Sequence, residues 1–288
     1  MKINSLTVDF LGIGAQKAGT TWLYYQLARH PQISFPCGKE LHYWDKTSIP
    51  DAKEWISLLN PTEFIQSDIK NVKTGEITPA YAILSANIIR KIFDCCPQIK
   101  IFMSLRNPLE RAWSSALMEL ERVEKRISET TDEWFLDNFY SADSRARGQY
   151  VSCINRWYSI FPSEQLLIIF LEDIAIRPAY VLSKLATHIG IDTLYFERLN
   201  TSDLAKVIVP CIREGIESPN PPPIRDSLLT SLISLYREEI MLLEKLLNRN
   251  LSHWLEYKPQ NTQPKQRLTS SLNAVNYPKL PRKQNRQL

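Results

Sequence analysis

Short apolar runs alternate with stretches of helical period along most of this chain. Residues 6–13, Leu-Thr-Val-Asp-Phe-Leu-Gly-Ile, are almost continuously apolar and close on glycine. That pattern predicts a strand buried on both faces. Thr20 to His30 follows with helical spacing, with Trp22, Leu23 and Leu27 on one face and Pro31 as its stop. Three more strand patterns follow: Lys73 to Thr78, Ile99 to Leu105 and Leu166 to Leu171. Helical patterns lie between and after them, at about 85–94, 109–126, 132–141, 147–160 and 178–189. The longest, about 226–248, places Leu228, Leu229, Leu232, Leu235, Leu242, Leu243, Leu246 and Leu247 on its apolar side. Strands alternating with helices predict an α/β three-layer sandwich, a central, mostly parallel sheet flanked by helices.

Four prolines fall within Glu217 to Pro223, which predicts a loop or lid before the long helix. After Tyr257 the sequence turns to Gln, Asn, Pro, Lys and Arg. Few of these fill a core, so residues 1–257 are expected as the domain and 258–288 as a flexible basic tail. Seven of the 35 Lys and Arg lie in that tail, leaving 28 against 31 acids in the body. A nearly balanced body is not a broad polyanion-binding surface, and no nucleic acid partner is expected.

Apolar residues are 44% and charged residues 23%, ordinary for a globular enzyme. No apolar run reaches the ~18 residues of a membrane span, so no stable membrane insertion is expected. The five cysteines form no C-x-x-C pair, which argues against a disulfide framework or a structural zinc site. Unpaired thiols and an N-terminus without signal-peptide features point to the cytoplasm.

The chemistry concentrates after the first strand, in Gly14-Ala15-Gln16-Lys17-Ala18-Gly19-Thr20-Thr21. Glycines permit a tight turn, the start of the following helix favours an oxyanion, Lys17 adds a charge, and Thr20 and Thr21 add hydroxyls. The nucleoside-triphosphate loop Gly-x-x-x-x-Gly-Lys-Ser/Thr does not fit, because Thr20 follows Gly19 and the lysine comes two residues before it. The strand 99–105 runs into Arg106, where such an enzyme wants a metal-binding aspartate. An arginine there suits a second phosphate, and no metal is called for.

These residues resemble the sulfotransferases that use PAPS (3′-phosphoadenosine 5′-phosphosulfate), in the branch of the heparan sulfate-type enzymes and their bacterial relatives. Gly14 to Leu23 resembles that family's P-loop-like 5′-phosphosulfate turn, and Arg106-Asn107-Pro108-Leu109-Glu110-Arg111-Ala112-Trp113-Ser114 its 3′-phosphate motif. Gly75 to Tyr81, Arg147 to Asp173 and Tyr236 to Trp254 resemble further segments, so that the likeness spans about 6–257.

The resemblance implies a co-substrate site of Gln16, Lys17, Ala18, Gly19, Thr20, Thr21 and Trp22, with Arg106 and Ser114 for the 3′-phosphate of PAPS and of the product PAP. Lys39-Glu40-Leu41-His42-Tyr43-Trp44-Asp45 resembles the segment carrying the general base. That implies Glu40 as base, Lys17 against the leaving oxygen, and His42 and Asp45 orienting the carboxylate. Arg213 and Gly215 stand where the family has a basic loop over the cofactor, and the acids Glu214 and Glu217 beside them suit a heavily sulfated acceptor poorly.

The balanced body suggests a small natural product or a glycan as acceptor. The alternatives are a P-loop nucleotide kinase or NTPase, and a non-catalytic PAPS- or carbohydrate-binding module. His30, His188 and His253 read as structural, with no metal-ligand spacing among them.

Overall fold

The computed structural model describes residues 7–60, 71–199, 204 and 222–256. Five parallel strands make one sheet in the order β2-β3-β1-β4-β5: β1 is Phe10–Gly14, β2 Ile33–Ser34, β3 Lys73–Ile77, β4 Lys100–Leu105 and β5 Leu166–Phe170. The helices are α1 Thr20–Ala28, α2 Tyr43–Lys46, α3 Ala52–Leu59, α4 Ala86–Cys95, α5 Pro108–Arg122 and α6 Asp132–Tyr140. They continue as α7 Ala142–Gly148, α8 Tyr150–Tyr158, α9 Leu171–Ile176, α10 Pro178–Ile189, α11 Leu194–Glu197 and α12 Asp226–Leu247.

All five residues of β1 are buried, as its unbroken apolar run requires. Successive residues serve opposite faces. Phe10 packs with Trp22, Leu23, Leu182, Leu185 and Phe102, from α1, α10 and β4. Leu11 and Ile13 pack in the larger core with residues of α3, α4, α5, α6, α8 and α12. The sheet is therefore the middle layer of three.

Side-chain caps set several helix starts. Asn107 accepts from the amide of Leu109 ahead of α5, Thr131 from Trp134 ahead of α6, and Ser141 from Ser144 ahead of α7. Gly190 ends α10 in the left-handed conformation that glycine adopts without strain.

The predicted strands match within a few residues, and the sheet is wholly parallel. The structure corrects three readings. The helix expected over 147–160 is two, because the backbone turns at Gln149, and Gly148 lies against the Tyr236 ring with no room for a Cβ. The short helices α2, α3, α9 and α11 were not foreseen, because runs of four to eight residues carry little period. Leu242 and Leu246 in α12 are exposed rather than core-facing, while Tyr236 and Ile240 take core positions. Among the described residues no helix is long and apolar enough to cross a membrane. The expected tail 258–288 and most of the proline run lie outside the described residues.

Candidate active site

Chain order in the sheet reverses sense at β1: β2 and β3 lie on one side, β4 and β5 on the other. In open parallel sheets the crevice at the carboxyl ends of the strands, at such a switch, is where ligands bind. Two of the segments singled out in the sequence meet there. The turn from Gly14 to Gly19 leaves β1, and Arg106 leaves the adjacent strand β4.

The turn is built on left-handed or glycine-only backbone at Gly14 (φ 150), Lys17 (φ 67) and Gly19 (φ 84). Gly19 precedes α1, whose start has no side-chain cap. A Cβ on Gly19 would stand 2.7 Å from Leu171 Cδ1, and one on Gly14 3.1 Å from Ala82 Cβ and the Pro79 carbonyl oxygen. The cradle is therefore closed to side chains and suited to an oxyanion held by helix-start amides.

Strand β4 and α5 hold the turn in place. The Ala15 amide donates to the Ser104 carbonyl at 2.6 Å, and the Ser104 hydroxyl donates to the Ala18 carbonyl. Arg106 Nη1 reaches the Lys17 carbonyl at 3.4 Å, and Ser115 Oγ donates to Gln16 Oε1 at 3.3 Å. The Arg106 guanidinium also pairs with Glu110, Nε at 2.9 Å and Nη2 at 2.8 Å from Oε2. Its carbonyl accepts from the Tyr150 hydroxyl at 2.9 Å.

A second group stands beside this cradle. Lys39 Nζ lies 3.3 Å from Thr21 Oγ1 and 3.2 Å from Glu40 Oε1. The other Glu40 oxygen is 2.9 Å from His42 Nε2, and His42 Nδ1 is 2.8 and 3.1 Å from the two oxygens of Asp45. Thr21, Lys39, Glu40, His42 and Asp45 thus form one continuous polar chain. Burial alone pushes Glu40 up, but the hydrogen bonds and charges of His42 and Lys39 outweigh it and hold the carboxyl at about 2. His42 is pushed up, mainly by its bond to Glu40 and further by Asp45, against a smaller effect of burial. With a carboxylate on each ring nitrogen, it fits the doubly protonated form. Lys39 is pushed down by burial, with Glu40 opposing.

Several expected positions look different in place. The Trp22 side chain faces the core and donates to the Leu204 carbonyl at 3.1 Å, so only its backbone lies at the helix start. Ser114 is half-buried in the second turn of α5, and its neighbour Ser115 bonds the turn after β1. Thr20 and Ala18 are buried, whereas Thr21 meets Lys39. Arg213 and Gly215 lie outside the described residues.

His30 bonds the Asp192 carbonyl and the Gln32 amide, and His188 the Ile101 carbonyl. His253 pairs with Glu172. The sequence reading gave no role to Lys39 or Glu76. Glu76 is 1% exposed and accepts from Trp55, Thr78 and Tyr81. Burial pushes it up to about 7 in spite of those bonds. Nothing in the local sequence marks its burial, since the strand around it, Lys-Thr-Gly-Glu-Ile, carries other polar residues.

The sulfotransferase domain profile matches residues 8–207. The mouse bifunctional heparan sulfate N-deacetylase/N-sulfotransferase 4 is 27% identical over 87% of this chain and 31% of its own. The membrane-associated sulfotransferase kil1 of Dictyostelium discoideum is 23% identical over 84% of this chain and 65% of its own. The chain thus spans less than two thirds of the length of either relative. Among solved structures, a sulfotransferase from Alicyclobacillus acidocaldarius superposes with a TM-score of 0.62 at 23% identity, covering 86% of this chain and 98% of that one. The profile match spans both β1 with its turn and β4 with Arg106, and the chain belongs to the sulfotransferase domain family, the PAPS-dependent sulfotransferases.

Proposed function

We propose that this protein transfers a sulfuryl group from PAPS to a hydroxyl or amine with Glu40 as general base. The observation that carries the reading is Lys39, whose ammonium touches both Thr21 at the start of α1 and the Glu40 carboxylate. It ties the oxyanion cradle to the Glu40 carboxylate. PAPS supplies an activated sulfuryl group on a 5′-phosphate and leaves as PAP. The cradle fits such an anion, since glycine replaces side chains at Gly14 and Gly19 and the helix start carries no side-chain cap.

In this reading the amides from Lys17 to Trp22 and the hydroxyls of Thr20 and Thr21 hold the 5′-phosphate end. Lys17 stabilises charge on the leaving oxygen. Arg106, with Ser114 from α5, holds the 3′-phosphate, and Arg106 exchanges Glu110 for that phosphate on binding. Glu40 takes the proton from the acceptor as its oxygen or nitrogen bonds to sulfur and the sulfur–phosphate oxygen bond breaks. A carboxyl held near 2 is a weak base. Anionic oxygens beside Thr21 compete for Lys39, and losing Lys39 raises the proton affinity of Glu40. His42, braced by Asp45, keeps the carboxylate aimed.

The acceptor side carries Glu40 and Asp45. With the slight acid excess of the body, that favours a small neutral or cationic alcohol or amine, or an uncharged glycan, over a sulfated polymer. The mouse relative's name specifies an N-sulfotransferase of heparan sulfate, which makes amines the first class to try. With labelled PAPS and a panel of small alcohols, amines and heparosan-like polymers, Glu40→Gln is expected to lower transfer by about 10²-fold or more while PAP binding is kept. Near-wild-type transfer by Glu40→Gln at saturating PAPS would remove Glu40 as base. Preference for the polymers would overturn the acceptor class.

A further inference from the structure

Glu76 stands near the end of β3, opposite Leu11 of β1, and is almost wholly enclosed. Its Oε1 accepts from the Trp55 indole at 2.7 Å and the Tyr81 hydroxyl at 3.1 Å, and its Oε2 from Thr78 Oγ1 at 2.9 Å. An ionised carboxylate only accepts, so both hydroxyls point their hydrogens inward and turn their lone pairs outward. Consecutive backbone amides use those lone pairs. The His42 amide is 3.4 Å from Thr78 Oγ1, and the Tyr43 and Trp44 amides are 2.9 and 3.2 Å from the Tyr81 oxygen. These amides open α2, a four-residue helix without a side-chain cap, entered through His42 at φ 59.

We infer that Glu76 is a positioning residue for the reaction: through Thr78 and Tyr81 it fixes the His42–Trp44 backbone, and so the imidazole that aims Glu40. The inference rests on the reading of Glu40 as base, and the readouts below separate the two.

Protonated Glu76 must donate through one oxygen. Its proton then competes with an amide of α2 for a hydroxyl lone pair, and a hydroxyl loses its acceptor. Burial places this change near neutrality. The groups facing Glu76 are Trp55 from α3, Thr78 and Tyr81 beyond β3, Asp45 from α2 and Cys37 beyond β2. Asp45 raises Glu76 further, and burial and then Glu76 raise the Cys37 thiol. A loosened α2 costs alignment, for which a displacement of ~1 Å is worth about 10²-fold in rate.

The test follows the His42 imidazole by NMR titration, assigned with His42→Asn, in full-length wild type, Glu76→Gln, Thr78→Val and Thr78→Ser. His42 is expected to titrate above its ordinary value in wild type and Thr78→Ser, and to fall back towards that value in Glu76→Gln and Thr78→Val. Transfer of labelled sulfuryl to the same panel of small alcohols and amines is expected to fall tenfold or more in Glu76→Gln and Thr78→Val, with PAP affinity kept. Wild-type transfer is expected to decline as pH drops through about 7, a limb absent from Glu76→Gln. Unchanged His42 titration and transfer in Glu76→Gln and Thr78→Val would overturn the inference, as would equal losses in Thr78→Ser and Thr78→Val. If Glu40→Gln stays active while His42 still follows Glu76, the base assignment fails and the positioning role stands.

Discussion

Lys17 sits in a left-handed turn position between two glycines, and its amide and charge are proposed to serve one anion. Lys17→Ala is expected to lower sulfuryl transfer by about 10²-fold, the scale of one preorganised charge at a leaving oxygen, with the melting temperature little changed. A steady-state comparison at saturating PAPS checks it. Glu76 makes a separate prediction about stability. Its carboxyl is raised in the fold, so its contribution to stability is full below about pH 4.5 and is lost as pH rises through about 7. The rise from 4.5 to about 7 corresponds to about 3 kcal/mol. Unfolding free energies measured from pH 5 to 8 are expected to fall by that order in wild type relative to Glu76→Gln. The contacts among Glu40, His42 and Asp45 fall within the one short segment that the family resemblance singled out. Lys39 and Glu76 were not legible in the sequence, because each acts through a partner far along the chain: Lys39 on Thr21, and Glu76 on Trp55 and, through Thr78 and Tyr81, on residues 42–44.

At the level of elements, close strand packing sets what each position tolerates. A Cβ on Gly75 in β3 would collide with the Phe10 carbonyl oxygen and ring in β1. Gly75→Ala is therefore expected to destabilise the fold by about 3 kcal/mol, the upper range for overpacking, since backbone cannot step aside. A Cβ on Gly190 meets nothing within 4 Å, and only its φ of 83 is strained. Gly190→Ala should cost about 1–2 kcal/mol. Denaturant melts of the pair check the order, and equal costs would contradict it. The long elements were readable from period alone, and the 178–189 helix falls where its spacing placed it. The short helices α2 and α3 were not, since Tyr43, Trp44 and Trp55 are held by tertiary hydrogen bonds and ring contacts more than by helical period.

Across the molecule, parallel topology does the assembling. β1 and β4 are neighbours because the chain crosses over at β1, and that crossing brings Gly14 to Thr21 and Arg106 to one crevice from positions about ninety residues apart. The sequence named both segments, but their adjacency follows from strand order, which local period does not encode. The near-balanced charge of the body fits a ligand held by few fixed contacts. One site is proposed to hold two phosphates, one on the turn after β1 and one on Arg106. Calorimetry of PAP and of AMP, which lacks the 3′-phosphate, on wild type, Lys17→Ala and Arg106→Ala tests it most directly. Lys17→Ala is expected to weaken both nucleotides, whereas Arg106→Ala is expected to weaken PAP by about tenfold or more and leave AMP nearly unchanged. Equal losses of PAP and AMP in Arg106→Ala, or no loss of either, would contradict it.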